Sequence, residues 1–254
     1  MTTTLFEKTV LITGAASGIG KACAHAFAQL SASLILVDMN ATALKEQAAQ
    51  LKKTYPNVLV KTIVVNISKR AQVEKKLSGL AIDILVNNAG IGPGSEAFYE
   101  TQLDNDIATV EVNLLGTIFV TRSILPEMVK RKQGSVIFIG SIAAIEAYNN
   151  HATYCATKAG VRALAQSIRR ELLGTTIRVS MIHPGKVRTH FSLAKHKGNT
   201  KKAAAEYDAF TPLEAEDIAS MAAYIATAPD HVQIQEVLMT SVDQATAREV
   251  HKRV

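Results

Sequence analysis

Short apolar runs alternate along the chain with longer segments in which apolar residues recur at helical spacing. Six runs predict strands: "TVLITG" (9–14), "SLILVD" (33–38), "VLVKTIVVN" (58–66), "IDILVNNAG" (82–90), "GSVIFIGS" (134–141) and "IRVSMIHPG" (177–185). The segments between them predict helices at about 20–30, 41–54, 69–80, 103–131 and 152–173. Near-continuous apolar strands separated by helices are typical of a parallel sheet. We therefore predict an α/β fold, a doubly wound Rossmann-type parallel sheet of about seven strands with helices on both faces.

Polar residues and glycines stand at the carboxyl ends of the predicted strands, namely at Gly14, Asp38, Asn66, Asn87 to Gly90, Ser141 and Pro184-Gly185. In a doubly wound sheet, ligands bind outside these ends, where the strand order reverses. The chain has neither internal repeats nor a linker rich in Pro, Gly or Ser. We therefore expect residues 1–254 to form a single domain with its ligand site at this edge of the sheet.

Composition narrows the class of protein. Of the 254 residues, 48% are hydrophobic and 20% are charged, which excludes a disordered chain. There is no run of eighteen apolar residues and no secretory signal, and two cysteines make no disulfide framework. We therefore expect a cytoplasmic protein that binds no membrane. The net charge of +6 is scattered, without aromatic residues among the basic runs, so we expect no nucleic-acid partner. We also expect no metal site.

The segment "TGAASGIG" joins the first predicted strand to the first helix, with Gly14, Gly18 and Gly20 spaced G-x3-G-x-G. Small residues let the backbone approach a pyrophosphate, and the following helix offers free N–H groups and a positive dipole end. A glycine cluster alone could be an ordinary turn, but a cluster between a strand and a helix is the context that dinucleotide binding requires. The segment therefore predicts a nucleotide site.

Asp38 ends the second predicted strand, twenty residues after Gly18. A carboxylate at this place binds the ribose hydroxyls of NAD, and it would repel the 2′-phosphate of NADP. Met39-Asn40 follow it and Ala15-Ala16 stand in the glycine loop, so no arginine is near to receive such a phosphate. Asp38 could instead cap the next helix. We favour NAD over NADP as the cofactor.

Six ordered motifs resemble those of the short-chain dehydrogenase/reductase superfamily, in its short single-domain branch: TGAASGIG (13–20), NNAG (87–90), Asn113 in "EVNLLGT", Ser141, Tyr154-x3-Lys158 and Pro184-Gly185. The similarity covers essentially the whole chain. Residues 184–219 and 228–242 resemble the bacterial 3-hydroxy acid (serine) dehydrogenases in particular. Those relatives usually carry basic residues after the second strand and use NADP, whereas Asp38-Met39 stands here. Asn66 also stands where the family usually has Asp.

The resemblance implies a catalytic set and a cofactor site. The catalytic set is Asn113, Ser141, Tyr154 and Lys158. The cofactor site is Gly14, Ser17, Gly18, Ile19, Gly20, Asp38, Met39, Asn66, Ile67, Asn88, Ala89, Gly90, Tyr154, Lys158, Pro184, Gly185, Val187 and Thr189. By resemblance, Asn113 holds a water that connects Lys158 to solvent, and Lys158 also holds the nicotinamide ribose. Asn66 can still accept the adenine hydrogen bond through its amide oxygen.

Tyr154 and Lys158 are four residues apart and so share one face of the predicted helix. A free tyrosine, with a pKa of about 10, is a poor base at neutral pH. A nearby lysine ammonium and a positively charged nicotinamide both lower that pKa. The hydroxyl of Ser141 would stabilise charge that develops on the substrate oxygen. We predict an NAD(H)-dependent oxidoreductase that interconverts a secondary alcohol and its ketone, with Tyr154 as general acid/base and a small hydroxy acid as one candidate substrate.

Two other functions stay open. One is a catalytically silent nucleotide-binding sensor or scaffold of the same fold, which would have no need of a proton donor. The other is an epimerase or dehydratase, although such relatives are generally longer. By resemblance, the helices at 103–131 and 152–173 would join copies of the chain into a homodimer or homotetramer.

The segment 188–212 is polar and lysine-rich, and it lies between Pro184-Gly185 and Pro212. We predict that it forms a substrate lid. Its lysines could attract a carboxylate substrate, or they could belong to a solvated helix face: Lys195, Lys197, Lys201 and Lys202.

Overall fold

The computed structural model describes residues 4–195, 198–208 and 210–253. Within that part of the chain, seven strands form one parallel sheet, ordered β3-β2-β1-β4-β5-β6-β9. The strands are β1 (Thr9–Thr13), β2 (Ser33–Asp38), β3 (Val60–Val64), β4 (Ile84–Asn87), β5 (Gln133–Ile139), β6 (Thr176–Pro184) and β9 (Glu236–Met239). Two short strands, β7 (Val187–Arg188) and β8 (Leu213–Glu214), pair separately.

Helices connect and cover these strands. The α-helices are α1 (Gly18–Gln29), α2 (Ala41–Thr54), α3 (Arg70–Leu77), α4 (Leu103–Val110), α5 (Thr117–Arg131), α6 (Ala152–Glu171), α7 (His190–Lys195), α8 (Thr200–Ala205) and α9 (Ala215–Thr227). A π-helical turn, Glu111–Gly116, joins α4 to α5, and short 3₁₀ turns occupy Phe98–Glu100 and Ile142–Ala144.

The predicted fold class is confirmed. The sheet is parallel throughout, and the strand order reverses beside β1, which pairs with β2 on one side and β4 on the other. Because the connections leave these strands in opposite directions, a crevice opens at their carboxyl ends, as in other doubly wound sheets. The predicted polar strand ends therefore meet around one crevice.

Each of the six predicted strands is present, with shorter bounds at several ends. The run at 58–66 narrows to β3, and the run at 82–90 narrows to β4. β1 stops before Gly14 because that residue turns into the left-handed region at φ 65°. The predicted helix 103–131 is present but interrupted by the π-helical turn. β9 was implied only by the strand count, since no pattern predicted its bounds.

Apolar side chains pack on both faces of the sheet. One face carries α1, α2 and α9, with Phe27 fully buried in its core. The other carries α3, α5 and α6, with Phe138 fully buried. Burial of such a side chain contributes about 1.5–3 kcal/mol, so the two cores hold the sheet rigid beneath the crevice.

One helical stretch among the described residues, Leu103–Arg131, is long and apolar enough to cross a bilayer by length and composition alone. In the fold it covers one face of the sheet, where Val120, Ile124 and Met128 are fully buried. A core helix passes the same test of length and composition, so this stretch is weak evidence for a membrane span.

Candidate active site

A cavity of about 620 Å³ opens at the carboxyl ends of the strands. Its lining includes every residue predicted from the sequence to hold the cofactor except Gly20. Of the predicted catalytic residues, Ser141, Tyr154 and Lys158 line it, and Asn113 lies just behind the wall. Tertiary folding therefore brings residues from seven separate segments of the chain around one space.

The glycine loop is fastened to the end of β4 by Thr13 and Asn88. The Thr13 hydroxyl accepts from the backbone N–H of Asn88 at 3.0 Å and of Ala89 at 3.1 Å. In return, the side-chain amide of Asn88 donates to the carbonyl of Thr13 at 2.9 Å. These bonds hold the loop beside the first turn of α1, whose free N–H groups face the cavity.

Gly20 contributes close packing rather than contact with the cavity. A Cβ atom at Gly20 would lie 2.1 Å from the carbonyl oxygen of Gly14 and 2.6 Å from the side-chain nitrogen of Asn88. Only glycine lets α1 approach the loop this closely. Gly18, with φ 49°, turns the loop into the helix, and a Cβ there would lie 3.3 Å from the side chain of Thr189.

Asp38 faces the loop rather than capping the next helix. Its carboxylate accepts from the backbone N–H of Ala16 at 3.1 Å and of Asn40 at 2.9 Å. Asn40 is the N-cap of α2, and its side chain accepts from Ala43 at 3.1 Å. The helix-cap interpretation of Asp38 is therefore wrong. Two backbone donors hold the carboxylate at the cavity wall, and the exposed Met39 side chain stands next to it.

Asn66 and Ile67 line the same end of the cavity. The amide oxygen of Asn66 already accepts from the backbone N–H of Ser68 at 3.0 Å. An adenine contact through that oxygen would therefore share it, which the second lone pair of an amide oxygen allows. Ile67 is buried, and its side chain lies against Gly116, where a Cβ would come within 2.9 Å of it.

Tyr154, Ser141 and Lys158 meet at the centre of the cavity. The side chain of Ser141 faces the Tyr154 hydroxyl and acts to lower the pKa of that hydroxyl. The ammonium nitrogen of Lys158 lies 5.8 Å from the centroid of the Tyr154 ring and donates to the carbonyl of Ile139 at 3.0 Å. Ser141 lies two residues after the end of β5 and caps the 3₁₀ turn Ile142–Ala144, while α6 carries the other two one helical turn apart. The predicted i, i+4 geometry is therefore present.

Burial is the main cause of the shifted pKa values of Tyr154 and Lys158. It raises the pKa of Tyr154 to about 12, although part of the ring remains accessible through the cavity and the side chain of Ser141 acts in the lowering direction. Burial also lowers the pKa of Lys158 to about 8, because the charged ammonium is desolvated. In the protein chain by itself, the pKa of Tyr154 thus moves opposite to the predicted direction, since desolvation by burial is the largest influence on it.

Asn113 lies in the π-helical turn between α4 and α5, a kind of irregularity that often marks functional sites. Its side-chain amide donates to the carbonyl of Ile91 at 2.8 Å, and its amide oxygen accepts from the Ile91 N–H at 2.8 Å. It also donates to the Thr157 hydroxyl at 3.3 Å. Asn113 therefore clamps the loop after β4 next to α6. A water between Asn113 and Lys158 stays a prediction.

The segment after β6 closes the cavity on its second side. Pro184, Gly185, Val187 and Thr189 all line it. The backbone carbonyl of Val187 accepts from the Tyr207 hydroxyl at 2.9 Å, which ties β7 to the chain beyond α8. Phe191 on α7 covers Tyr154, with 5.9 Å between the ring centroids. This arrangement places part of the predicted lid over the central tyrosine.

The two lysines of the predicted lid whose side chains the structure describes lie in different surroundings. Lys195 lines the cavity, but its ammonium is paired with the carboxylate of Glu206. Lys201 is exposed and does not line the cavity. Lys197 and the side chain of Lys202 lie outside the described residues.

Sequence reasoning missed several residues at the substrate end of the cavity. They come from the loop after β5, the turn after β6 and the C-terminal segment: Tyr148, Lys186, Gln244 and Arg248. His151, a minor acid/base candidate from the sequence, lines the same end. His151 has a pKa lowered to about 4, chiefly by burial, so its ring is neutral near pH 7. No local motif pointed to these residues, because long-range packing alone brings them together.

The parallel sheet, the glycine loop and the buried tyrosine–lysine pair define a nucleotide-binding α/β protein equipped for proton transfer. The sequence model of the family described as short chain dehydrogenase matches residues 8–200. The chain belongs to the short-chain dehydrogenase family, and it is an oxidoreductase of that family.

Similar proteins agree with this placement. An NADP-dependent 3-hydroxy acid dehydrogenase of Schizosaccharomyces pombe is 32% identical over 97% of both chains. One of the same description from Salmonella typhi is 36% identical, over 94% of this chain and 96% of its own. The closed form of serine dehydrogenase complexed with NADP+ superposes with a TM-score of 0.88 at 34% identity, over 94% of this chain and 97% of that one. The predicted resemblance to the 3-hydroxy acid (serine) dehydrogenases is thus confirmed.

Proposed function

We propose that this protein is an NAD(H)-dependent dehydrogenase that interconverts a secondary alcohol, most specifically a small hydroxy acid, and its ketone. The observation that carries the proposal is the cluster of Ser141, Tyr154 and the buried Lys158 in the same cavity as the glycine loop. The relatives described as 3-hydroxy acid dehydrogenases support the substrate class.

The residues around the cavity fit a dinucleotide. Gly14 and Gly18 adopt positive φ angles, and together they leave the space that a pyrophosphate needs beside the first turn of α1. Asp38 offers carboxylate oxygens to the ribose hydroxyls, while Lys158 and Tyr154 stand at the other end. A dinucleotide held by these residues would supply the hydride acceptor for oxidation of the alcohol carbon, or the hydride donor for reduction of the carbonyl carbon.

The side chains then handle the proton. In the direction of oxidation, the Tyr154 oxygen takes the hydroxyl proton of the substrate; in reduction, it gives that proton back. Ser141 donates a hydrogen bond to the substrate oxygen and stabilises its developing charge. Lys158 holds a positive charge beneath the ring, which favours the phenolate. Phe191 over Tyr154 excludes water from the proton-transfer site.

The choice of NAD rests on Asp38. Its carboxylate lines the cavity near the glycine loop, and a 2′-phosphate bound beside it would be repelled by its charge. Lys21 could neutralise such a phosphate only from outside, because it lines the open groove on the far side of α1 rather than the cavity. The relatives are described as NADP-dependent, so we propose a different cofactor for this chain because of Asp38.

The test is a panel of secondary alcohols and 3-hydroxy acids assayed with NAD and NADP in parallel, using the parent enzyme and Tyr154→Phe. We expect turnover with NAD, lowered by at least about a hundredfold in the variant. Nucleotide binding should persist, because the phenyl ring keeps its packing. Unchanged binding without any turnover in the parent would instead favour a nucleotide sensor, for which the similar proteins give no support.

We also propose a homo-oligomer, a homodimer or homotetramer, with no nucleic-acid, membrane or metal partner, in the cytoplasm. The side chains of Leu103, Ile107 and Val110 support the oligomer, since they lie on one face of α4 and are 71%, 48% and 36% exposed. Apolar side chains at this spacing form a stripe that a second copy would cover.

A further inference from the structure

The C-terminal segment folds back into the substrate end of the cavity. Residues 244–250 form a small hairpin, closed by a bridge between Gln244 and Val250. The backbone N–H of Ala247 donates to the carboxylate of Glu146 at 3.2 Å, and the N–H of His251 donates to the carbonyl of Asp243 at 2.6 Å. The hairpin is thus anchored to the loop that follows β5 and carries its tip to the cavity.

Arg248, at the tip of this hairpin, is held in place by two contacts with that loop. Its guanidinium carbon lies 4.9 Å from the centroid of the Tyr148 ring, and one guanidinium nitrogen donates to the carbonyl of Asn149 at 2.5 Å. Stacking of this kind orients the planar guanidinium group. Arg248 lines the same cavity as Tyr154.

A row of rings connects Arg248 to the reacting centre. The Tyr148 ring lies 5.2 Å from that of His151, which in turn lies 6.5 Å from that of Tyr154. Both Arg248 and Lys195 contribute to lowering the pKa of His151, as expected if their charges face the same space. A molecule whose hydroxyl contacts Tyr154 can therefore extend along these rings toward Arg248.

Arg248 retains unused hydrogen-bonding capacity. No carboxylate pairs with it among the described residues. Its hydrogen bond to the carbonyl of Asn149 uses one of its guanidinium N–H donors. A guanidinium group has five N–H donors in a fork that matches a carboxylate. Lys186 also lines this end of the cavity, and its ammonium nitrogen lies 5.9 Å from the centroid of the Phe210 ring. Lys195, by contrast, is occupied by Glu206.

We propose that Arg248, assisted by Lys186, is the specificity-determining residue of an anion subsite that binds the carboxylate of the substrate. This proposal rests on the proposed dehydrogenase function and deepens it: the carboxylate would dock on the guanidinium fork, which places the carbon bearing the hydroxyl group beside Tyr154. The subsite predicts that hydroxy acids long enough to span the row of rings are preferred over neutral alcohols of the same length. It is built by a segment of the chain distant from every sequence motif.

The experiment compares Arg248→Met with Lys252→Met, using as substrates a series of hydroxy acids from 3-hydroxybutyrate to 9-hydroxydecanoate and their methyl esters. The series is needed because three ring spacings separate the guanidinium group from Tyr154, so a short acid cannot contact both. Methionine keeps an unbranched stem that can rest on Tyr148 while removing the charge. Lys252 is exposed and does not line the cavity, so its variant changes the net charge equally. In Arg248→Met, we expect the KM for the longer acids of the series to rise roughly ten- to hundredfold, because a charged hydrogen bond is lost. The ester kinetics and both kinds of substrate in Lys252→Met should stay within about twofold of the parent.

Arg248→Lys adds a second measurement, since it keeps the charge and loses the fork. Its KM for the acid should lie between the parent and Arg248→Met. An equal change for acid and ester in Arg248→Met, or a parent enzyme that prefers the ester, would overturn the subsite while leaving the dehydrogenase function intact. Failure of that function has a different signature, namely no turnover of any alcohol or acid by the parent with either cofactor.

Discussion

Lys158 is a buried amine whose charged form is needed for catalysis but lowers the stability of the fold. Burial lowers its pKa to about 8 from an ordinary value near 10.5, so the fold disfavours the charged form that the chemistry needs. The unfolded chain therefore binds more protons than the folded chain between these two values, and the free energy of unfolding rises with pH across that window. Below about pH 8 the cost of the charge is present in full.

Lys158→Met should thus raise stability while it removes turnover. At pH 7 we expect the free energy of unfolding to increase on the order of 2 kcal/mol, the desolvation cost less the lost hydrogen bond to Ile139. The gain should shrink between pH 8 and 10.5. Urea unfolding at several pH values measures it, with Lys201→Met as an exposed control. A destabilised variant at pH 7 would contradict this account of the buried charge.

Asp38 is the residue on which the choice of cofactor depends. Asp38→Asn keeps the size of the side chain and removes the charge, so we expect the kcat/KM with NAD to fall roughly ten- to hundredfold and that with NADP to rise. Steady-state assays with both cofactors measure the ratio, and Asp104→Asn, at an exposed position on α4, is the matched control. A parent enzyme that prefers NADP by more than tenfold would refute the role given to Asp38.

At the scale of the element, the strand–loop–helix unit depends on close approach at Gly20. Gly20→Ala should destabilise the protein by about 1–3 kcal/mol or more and weaken nucleotide binding, because the added Cβ meets backbone that cannot yield. Gly160→Ala is the control within another helix: its Cβ would lie 3.4 Å from Leu114, an ordinary contact, and alanine favours the helix by about 1 kcal/mol. Thermal unfolding should therefore shift in opposite directions for the two variants.

Elements with strong local patterns were predictable from the sequence, and irregular ones were not. The bounds of α2 match the prediction because its helical periodicity and its Asn40 cap are local signals. The π-helical turn at Asn113 has no such signal. It lies between α4, which packs on α6, and α5, which packs on β4 and β5, and it holds the loop at Ile91. Short β9 is recognisable only through its pairing with β6.

For the whole molecule, the exposed apolar stripe on α4 predicts self-association. Ile107→Asp should convert the oligomer into smaller species, because a buried charge without a partner opposes association. Light scattering coupled to gel filtration measures the mass. Leu59→Asp introduces the same charge at an exposed leucine (69%) away from α4, and it should leave the mass unchanged. A monomeric parent, or equal effects of both variants, would count against this interface.

Taken alone, the sequence determined the fold class, the nucleotide loop, the position of Asp38 and the Tyr154–Lys158 pair. These depend on periodicity and on spacings of a few residues, which backbone geometry translates directly into structure. Only the tertiary structure decided that Lys195 is paired with Glu206, that burial raises the pKa of Tyr154, and that Arg248 reaches the cavity. Those features arise from desolvation and from contacts between segments up to about a hundred residues apart, which no local pattern encodes.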